Sequence, residues 1–164
     1  MARRFGMPSS ERKALLKNQV SNLLWYGKIE TTAPKAKDVA RLAEKYITLA
    51  INSYEDTKKV TKTDDKGNTF ETVSDGAKKL AARRKLMANL NDIQEVKDRK
   101  ESKGSFRERT KDVNHPLIEK IFNDYAPKYA KRKAELGQGG GYTRIYKLGN
   151  RLGDAAELAI VELI

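Results

Sequence analysis

Residues 155–164 read AAELAIVELI, a near-continuous apolar run rich in β-forming residues. A run of this length behind turn residues is a strand at the centre of a sheet, covered on at least one face. The preceding LGNRLGD, 148–154, brackets Asn150 and Arg151 with Gly149 and Gly153. It reads as a tight turn presenting Arg151. Upstream again, Tyr142 to Leu148 alternates as a second strand, entered from the glycine cluster of residues 137–141. Ile164 is expected to be built into the core.

Something must cover that sheet, and the first half of the chain supplies helices. Ser9 or Ser10 can cap a helix reaching about Tyr26 and ended by Gly27, with Leu16, Val20, Leu23 and Leu24 as its apolar stripe. Residues 28–32, KIETT, form a short strand whose last threonine caps the next helix. Pro34 fits that helix's first turn, and Val39, Leu42, Ala43, Tyr46, Ile47 and Ala50 share one face up to about Asn52. The fold class is therefore α+β: a small mixed sheet with helices packed on one side.

Residues 54–74 depart from this pattern. Their β-formers alternate around Asp65-Lys66-Gly67-Asn68, as in a polar hairpin inserted into the domain. Asp75 then caps a third helix to about Leu90, with Ala77, Leu80, Met87 and Leu90 inward. Apolar residues thin out over 91–113, a charged insertion that is either a solvated helix or a loop ordered on binding. Asn114 caps a fourth helix from Pro116, with Leu117, Ile118, Ile121, Phe122 and Tyr125 as its stripe, and Pro127 breaks it.

The 164 residues suit one domain. Lys and Arg number 34 against 22 Asp and Glu, a net charge of +12, so a polyanionic partner is the natural complement. The excess is uneven: net +6 over residues 1–50, −2 over 51–75, +6 over 76–113 and +2 over 114–164. The acidic-leaning stretch should face away from the polyanion. No run of about 18 apolar residues exists, and MARRFGMPSS leads into no signal-like segment, so a cytoplasmic site and no membrane partner are expected. Cysteine is absent, which removes disulfides, thiolate zinc sites and a Cys nucleophile. His115 is the lone histidine, so no metal site or cofactor is expected and the chain is read as a non-enzyme without a small-molecule substrate. The glycine cluster lacks the Gly-Lys-Ser/Thr of a phosphate loop and precedes a strand, not a helix.

The cations group into constellations suited to phosphate. Residues 1–9 form an extended basic arm with Arg3 and Arg4, continued by Arg12, Lys13 and Lys17 on the first helix. Lys78, Lys79, Arg83, Arg84 and Lys85 spread over a broad face of the third helix. Phe5 and Tyr142 stand beside basic residues and either stack on unpaired bases or pack inside the protein.

Three stretches together resemble one family: RKALLKNQVSNLL at 12–24, GKIETTAPKAKDVARLAEKYITLA at 27–50, and GGYTRIYKLGNRLGDAAELAIVELI at 140–164. Their order and pattern are similar to bacterial large-subunit ribosomal protein seventeen. AKKLAARRKLMANL and HPLIEKIFNDYAPKYAKR add weaker similarity, and about two-thirds of the chain is covered. The resemblance implies a structural, RNA-binding component of the large subunit near the peptide exit region, with large-subunit ribosomal RNA and neighbouring ribosomal proteins as partners. It implies RNA contacts at Arg3, Arg4, Arg12, Lys13 and Lys17; at Thr31, Thr32, Lys35 and Lys37, where helix N-terminal N–H groups also favour phosphate; and at Tyr142, Thr143, Arg144, Lys147 and Arg151. Met7 and Glu11 depart from the family's leader. Relative to short members, 54–74, 91–113 and 134–138 look like insertions. Two rivals to this reading are a DNA-binding regulator, which needs a helix-turn-helix and a dimer surface, and an RNA-processing enzyme, which needs a metal or acid/base cluster.

Overall fold

A computed structural model describes residues 5–63, 69–111 and 113–164. The C-terminal run forms β5 (Glu157–Leu163), flanked by β1 (Lys28–Thr32) and β4 (Thr143–Asn150) in the order β1-β5-β4. Both pairings are antiparallel, so the sheet is not mixed as expected. The apolar strand takes the centre because it alone can be shielded there; Lys28, Glu30, Arg144 and Lys147 keep the two edges charged. Ala159 and Val161 point into the core. Gly149, at φ 102°, lets β4 slip one residue against β5 between Lys147 and Gly149. Ile164 is exposed at its side chain, and its backbone N–H ties down to the Tyr142 carbonyl at 3.0 Å.

Two long helices cover the inner face. α1 (Ser9–Tyr26) buries Val20, Leu23 and Leu24 and stops at Gly27, whose φ of 82° needs a residue without Cβ. α2 (Ala33–Ile51) buries Ala36, Val39, Ala40, Ala43, Ile47 and Ala50, the small residues allowing close approach to the sheet. Leu23 and Ile47 are fully buried, so cutting either back to Ala costs about 2–5 kcal/mol. The N-caps differ from expectation. Pro8, not a serine, precedes α1, and Thr32 precedes α2 without a side-chain hydrogen bond.

β2 (Thr57–Thr63) and β3 (Thr69–Asp75) pair as a separate antiparallel hairpin; its expected turn at 65–68 lies outside the described residues. α3 (Ala77–Asn89) is capped not by Asp75 but by Asp56, whose Oδ2 accepts from the Lys78 N–H at 2.7 Å. Gly76 makes room for this: a Cβ there would lie 2.3 Å from the Asp56 carboxyl carbon. The buried stripe of α3 is Ala82 and Leu86, continued by Leu90, while Leu80 and Met87 face outward. A short helix α4 (Lys103–Thr110) occupies the charged segment and buries nothing.

Pro127 does not end the last helical run. α5 (Pro116–Lys120) passes through a π-helical turn, Ile121–Tyr125, into α6 (Ala126–Leu136). The Ala126 N–H bonds to the Ile121 carbonyl, five residues back. This wider turn accommodates the proline ring and its missing N–H, and α6 starts there. His115, not Asn114, is the N-cap of α5. Tyr129 is fully buried against Tyr142, with ring centroids 4.7 Å apart, and burial pushes its hydroxyl up to about 12.

Candidate nucleic-acid interface

The electrostatics divide the cations into two groups. The first lies along the α1–α2 side. Arg12, Lys13 and Lys17 of α1 and Arg41 of α2 stand around one groove, closed at its end by Ala88 and Asn89 of α3. Lys17 donates to the Ala88 carbonyl at 3.3 Å, and neither Lys13 nor Arg41 has a carboxylate within ion-pair distance among the described residues. Lys35 and Lys37 extend this group toward the N-terminus of α2. Arg84 and Lys85 are exposed one turn before Asn89 and form no ion pair among the described residues.

The second group is neutralised internally. Asp75, displaced from its expected capping role, receives Lys79 at 3.2 Å and Arg83 at 2.7 Å. Arg83 also pairs with Glu119, and both it and Lys79 lie over the Phe122 ring. Lys147 meets Glu157 across the β4–β5 ladder at 2.8 Å. Arg151 forks onto Asp154 at 2.8 and 2.6 Å, and this pairing is the main reason the Asp154 carboxyl sits at about 2. In the charged segment, Arg109 holds both Glu95 and Glu101. The segment's remaining cations, Lys97, Arg99, Lys100, Lys103, Arg107 and Lys111, have no such partner among the described residues.

A third set carries structural hydrogen bonds. Thr31 is nearly buried and accepts from the Gln19 side chain at 3.0 Å. Thr143 donates its hydroxyl to Glu44 at 2.9 Å, joining β4 to α2. Tyr142 is only 3% exposed, so its ring packs inside the protein and offers no face to a base. Thr32 is half-buried and Arg144 is exposed with no ion pair among the described residues, while Phe5 is half-buried at the start of the described chain. Arg3 and Arg4 lie outside the described residues.

A family model described as Ribosomal protein L17 matches residues 15–164. The chain belongs to the Ribosomal protein L17 family. It is 39% identical over 185 aligned positions to the large ribosomal subunit protein bL17 of Lachnospira eligens, covering 99% of this chain and 98% of that one. The protein of the same name from Acetivibrio thermocellus is 35% identical, with 99% and 98% coverage, and that of Clostridium acetobutylicum 34%, with 99% and 96%. Ribosomal protein L17 is a structural, non-catalytic family that serves translation.

Within this ribosomal frame, two features escaped the sequence reading. Arg41 belongs with Lys13 and Lys17, a neighbourhood visible only once α1 and α2 pack together. The carboxylates that take up Arg83, Lys147 and Arg151 are distant or on a facing strand, although the Asp154 partner, three residues from Arg151, was legible as a turn acid. Among the described residues no helix is long and apolar enough to cross a membrane.

Proposed function

We propose that this chain is a structural constituent of the large ribosomal subunit, in the cytoplasm, that binds ribosomal RNA and holds its helices close. The observation that carries this is that Lys13 of α1, Lys35 and Arg41 of α2, and Arg84 and Lys85 near the end of α3 form no ion pair among the described residues. Lys13, Lys35, Lys37, Arg41, Arg84 and Lys85, with Arg12 and Lys17, form the phosphate-facing set, and Arg3 and Arg4 extend it. Basic groups neutralise crowded phosphates, and the released counterions supply part of the affinity. Recognition falls mainly on RNA shape, phosphates and 2′-hydroxyls. The relatives' shared name supports the assignment to the large subunit, and neighbouring ribosomal proteins are the remaining partners.

The charged segment 91–113 extends the RNA contact through its unpaired cations, while the hairpin 54–74 meets solvent or a neighbouring protein. Co-sedimentation of the tagged chain through a sucrose gradient at moderately high salt tests the proposal. Stoichiometric migration with large subunits is the expected result. Migration with free protein or with DNA would overturn it.

A further inference from the structure

The groove between α1 and α2 has a chemistry that phosphate neutralisation does not use. It is an open recess of about 520 Å³. Its lining includes the apolar side chains of Ala14, Leu16, Val20 and Leu42 and the ring of Tyr46. Val20 is buried, while Leu16, Leu42 and Tyr46 are only partly covered and pack against the core from one side. A solvated helix pair has no need to leave such a floor open, because closing it would remove apolar surface from water. The recess is also rimmed by cations, with Arg12, Lys13, Lys17 and Arg41 around it against one carboxylate, Asp38.

From these observations we infer that the groove is a binding site for one unstacked RNA nucleotide, its base on the apolar floor and its phosphates on the surrounding cations. This rests on the RNA-binding reading above and adds a site to it. Charge decides against an apolar protein segment: the surround attracts polyanion, and a nucleotide joins a flat apolar face to that charge in one unit. The polar atoms among the lining complete the fit. Asp38 and Asn89 both carry side-chain acceptors, which suits a base that donates from an exocyclic amine. Asn89 is held for this because its amide nitrogen already donates to the Lys85 carbonyl at 2.7 Å. The Lys17–Ala88 contact fixes the end wall.

Two exposed positions allow the groove to be filled without touching the core. Ala14→Trp blocks it from α1 and Asn89→Trp from α3, with Thr48→Trp, exposed on α2 outside the groove, as the control. The readouts are binding to deproteinised large-subunit RNA and dimethyl sulfate footprinting of that RNA. Wild type should protect an unpaired adenine or cytosine. Each Trp variant should lose that protection and bind about tenfold more weakly, the range for one stacked base, with the dependence on salt unchanged. Thr48→Trp and wild type should behave alike. If both Trp variants bind and protect as wild type does, the groove is not a nucleotide site, and the RNA-binding reading stands. Unchanged RNA binding with loss of a neighbouring ribosomal protein from the subunit would make the occupant a protein and overturn the inference. Failure of wild type to bind the RNA at all would remove both readings.

Discussion

Lys79 and Arg83 of α3 and the basic face of α1–α2 contain the same residue types but have opposite electrical fates. On α3, Lys79 and Arg83 fold back onto Asp75 and Glu119 and cover the Phe122 ring, so their charge joins the hairpin end, α3 and α5 to one another. On the α1–α2 side, Lys13 and Arg41 form no ion pair among the described residues, and one carboxylate, Asp38, shares their groove with four cations. Local density of Lys and Arg therefore does not identify the binding face. On the function proposed above, it is marked by the local shortage of acids once the chain has folded, because an internally neutralised cation brings little net attraction to a phosphate.

This contrast can be broken most sharply by removing the unpaired set. Changing Lys13, Lys35, Lys37 and Arg41 together to Ala should weaken binding to large-subunit RNA roughly a hundredfold at moderate salt and flatten its salt dependence by about 3 in slope. Thermal unfolding should barely move, since these groups are exposed or half-buried without ion pairs. The paired set predicts the reverse. Arg83→Ala strands the partly covered Glu119 carboxylate, leaves Asp75 with Lys79 alone, and should lower stability by about 1–2 kcal/mol, read by denaturant unfolding, with the salt slope of RNA binding unchanged.

The charged segment is intermediate, with one neutralised arginine and several free cations. Replacing residues 94–111 by a short flexible linker should reduce incorporation into the subunit several-fold; unchanged incorporation would count against its RNA contact. The smallest effect belongs to the Arg151–Asp154 turn. Its carboxyl is held at about 2 against an ordinary 3.8, so its stabilising contribution is complete above about pH 4 and is lost as pH falls through 2. The Ala156 amide, which donates to Asp154 at 3.2 Å, should shift in NMR spectra over that window and not above it.

Much of the fold was legible because it rests on local patterns. The period of Val20, Leu23 and Leu24, the Gly27 stop and the apolar β5 each follow from a few neighbouring residues. The misreadings share another origin. Asp56 caps α3 from across the hairpin, and a carboxylate so far away in sequence leaves no mark beside the helix it serves. Having lost the cap, Asp75 became an ion-pair acceptor and drew Lys79 and Arg83 inward, which turned the α3 stripe toward Ala82 and Leu86. Pro127 misled because a proline's effect depends on the turn before it, and a π turn absorbs it. The candidate site was legible only in part. Lys13, Lys35 and Lys37 were identified as basic residues, but Arg41 joins them through helix packing alone, and Tyr142 gave way to the core because Tyr129 lies opposite.

The central claim is that the cations without an internal ion pair among the described residues are the ones that meet RNA. Ultraviolet crosslinking of intact large subunits, with the crosslinked peptides identified by mass spectrometry, tests it most directly. Crosslinks should fall on peptides holding Lys13, Lys17, Lys35, Lys37 and Arg41 and be missing from Lys79, Arg83, Lys147 and Arg151. Crosslinks concentrated on the internally paired four, with the α1–α2 face empty, would contradict the account.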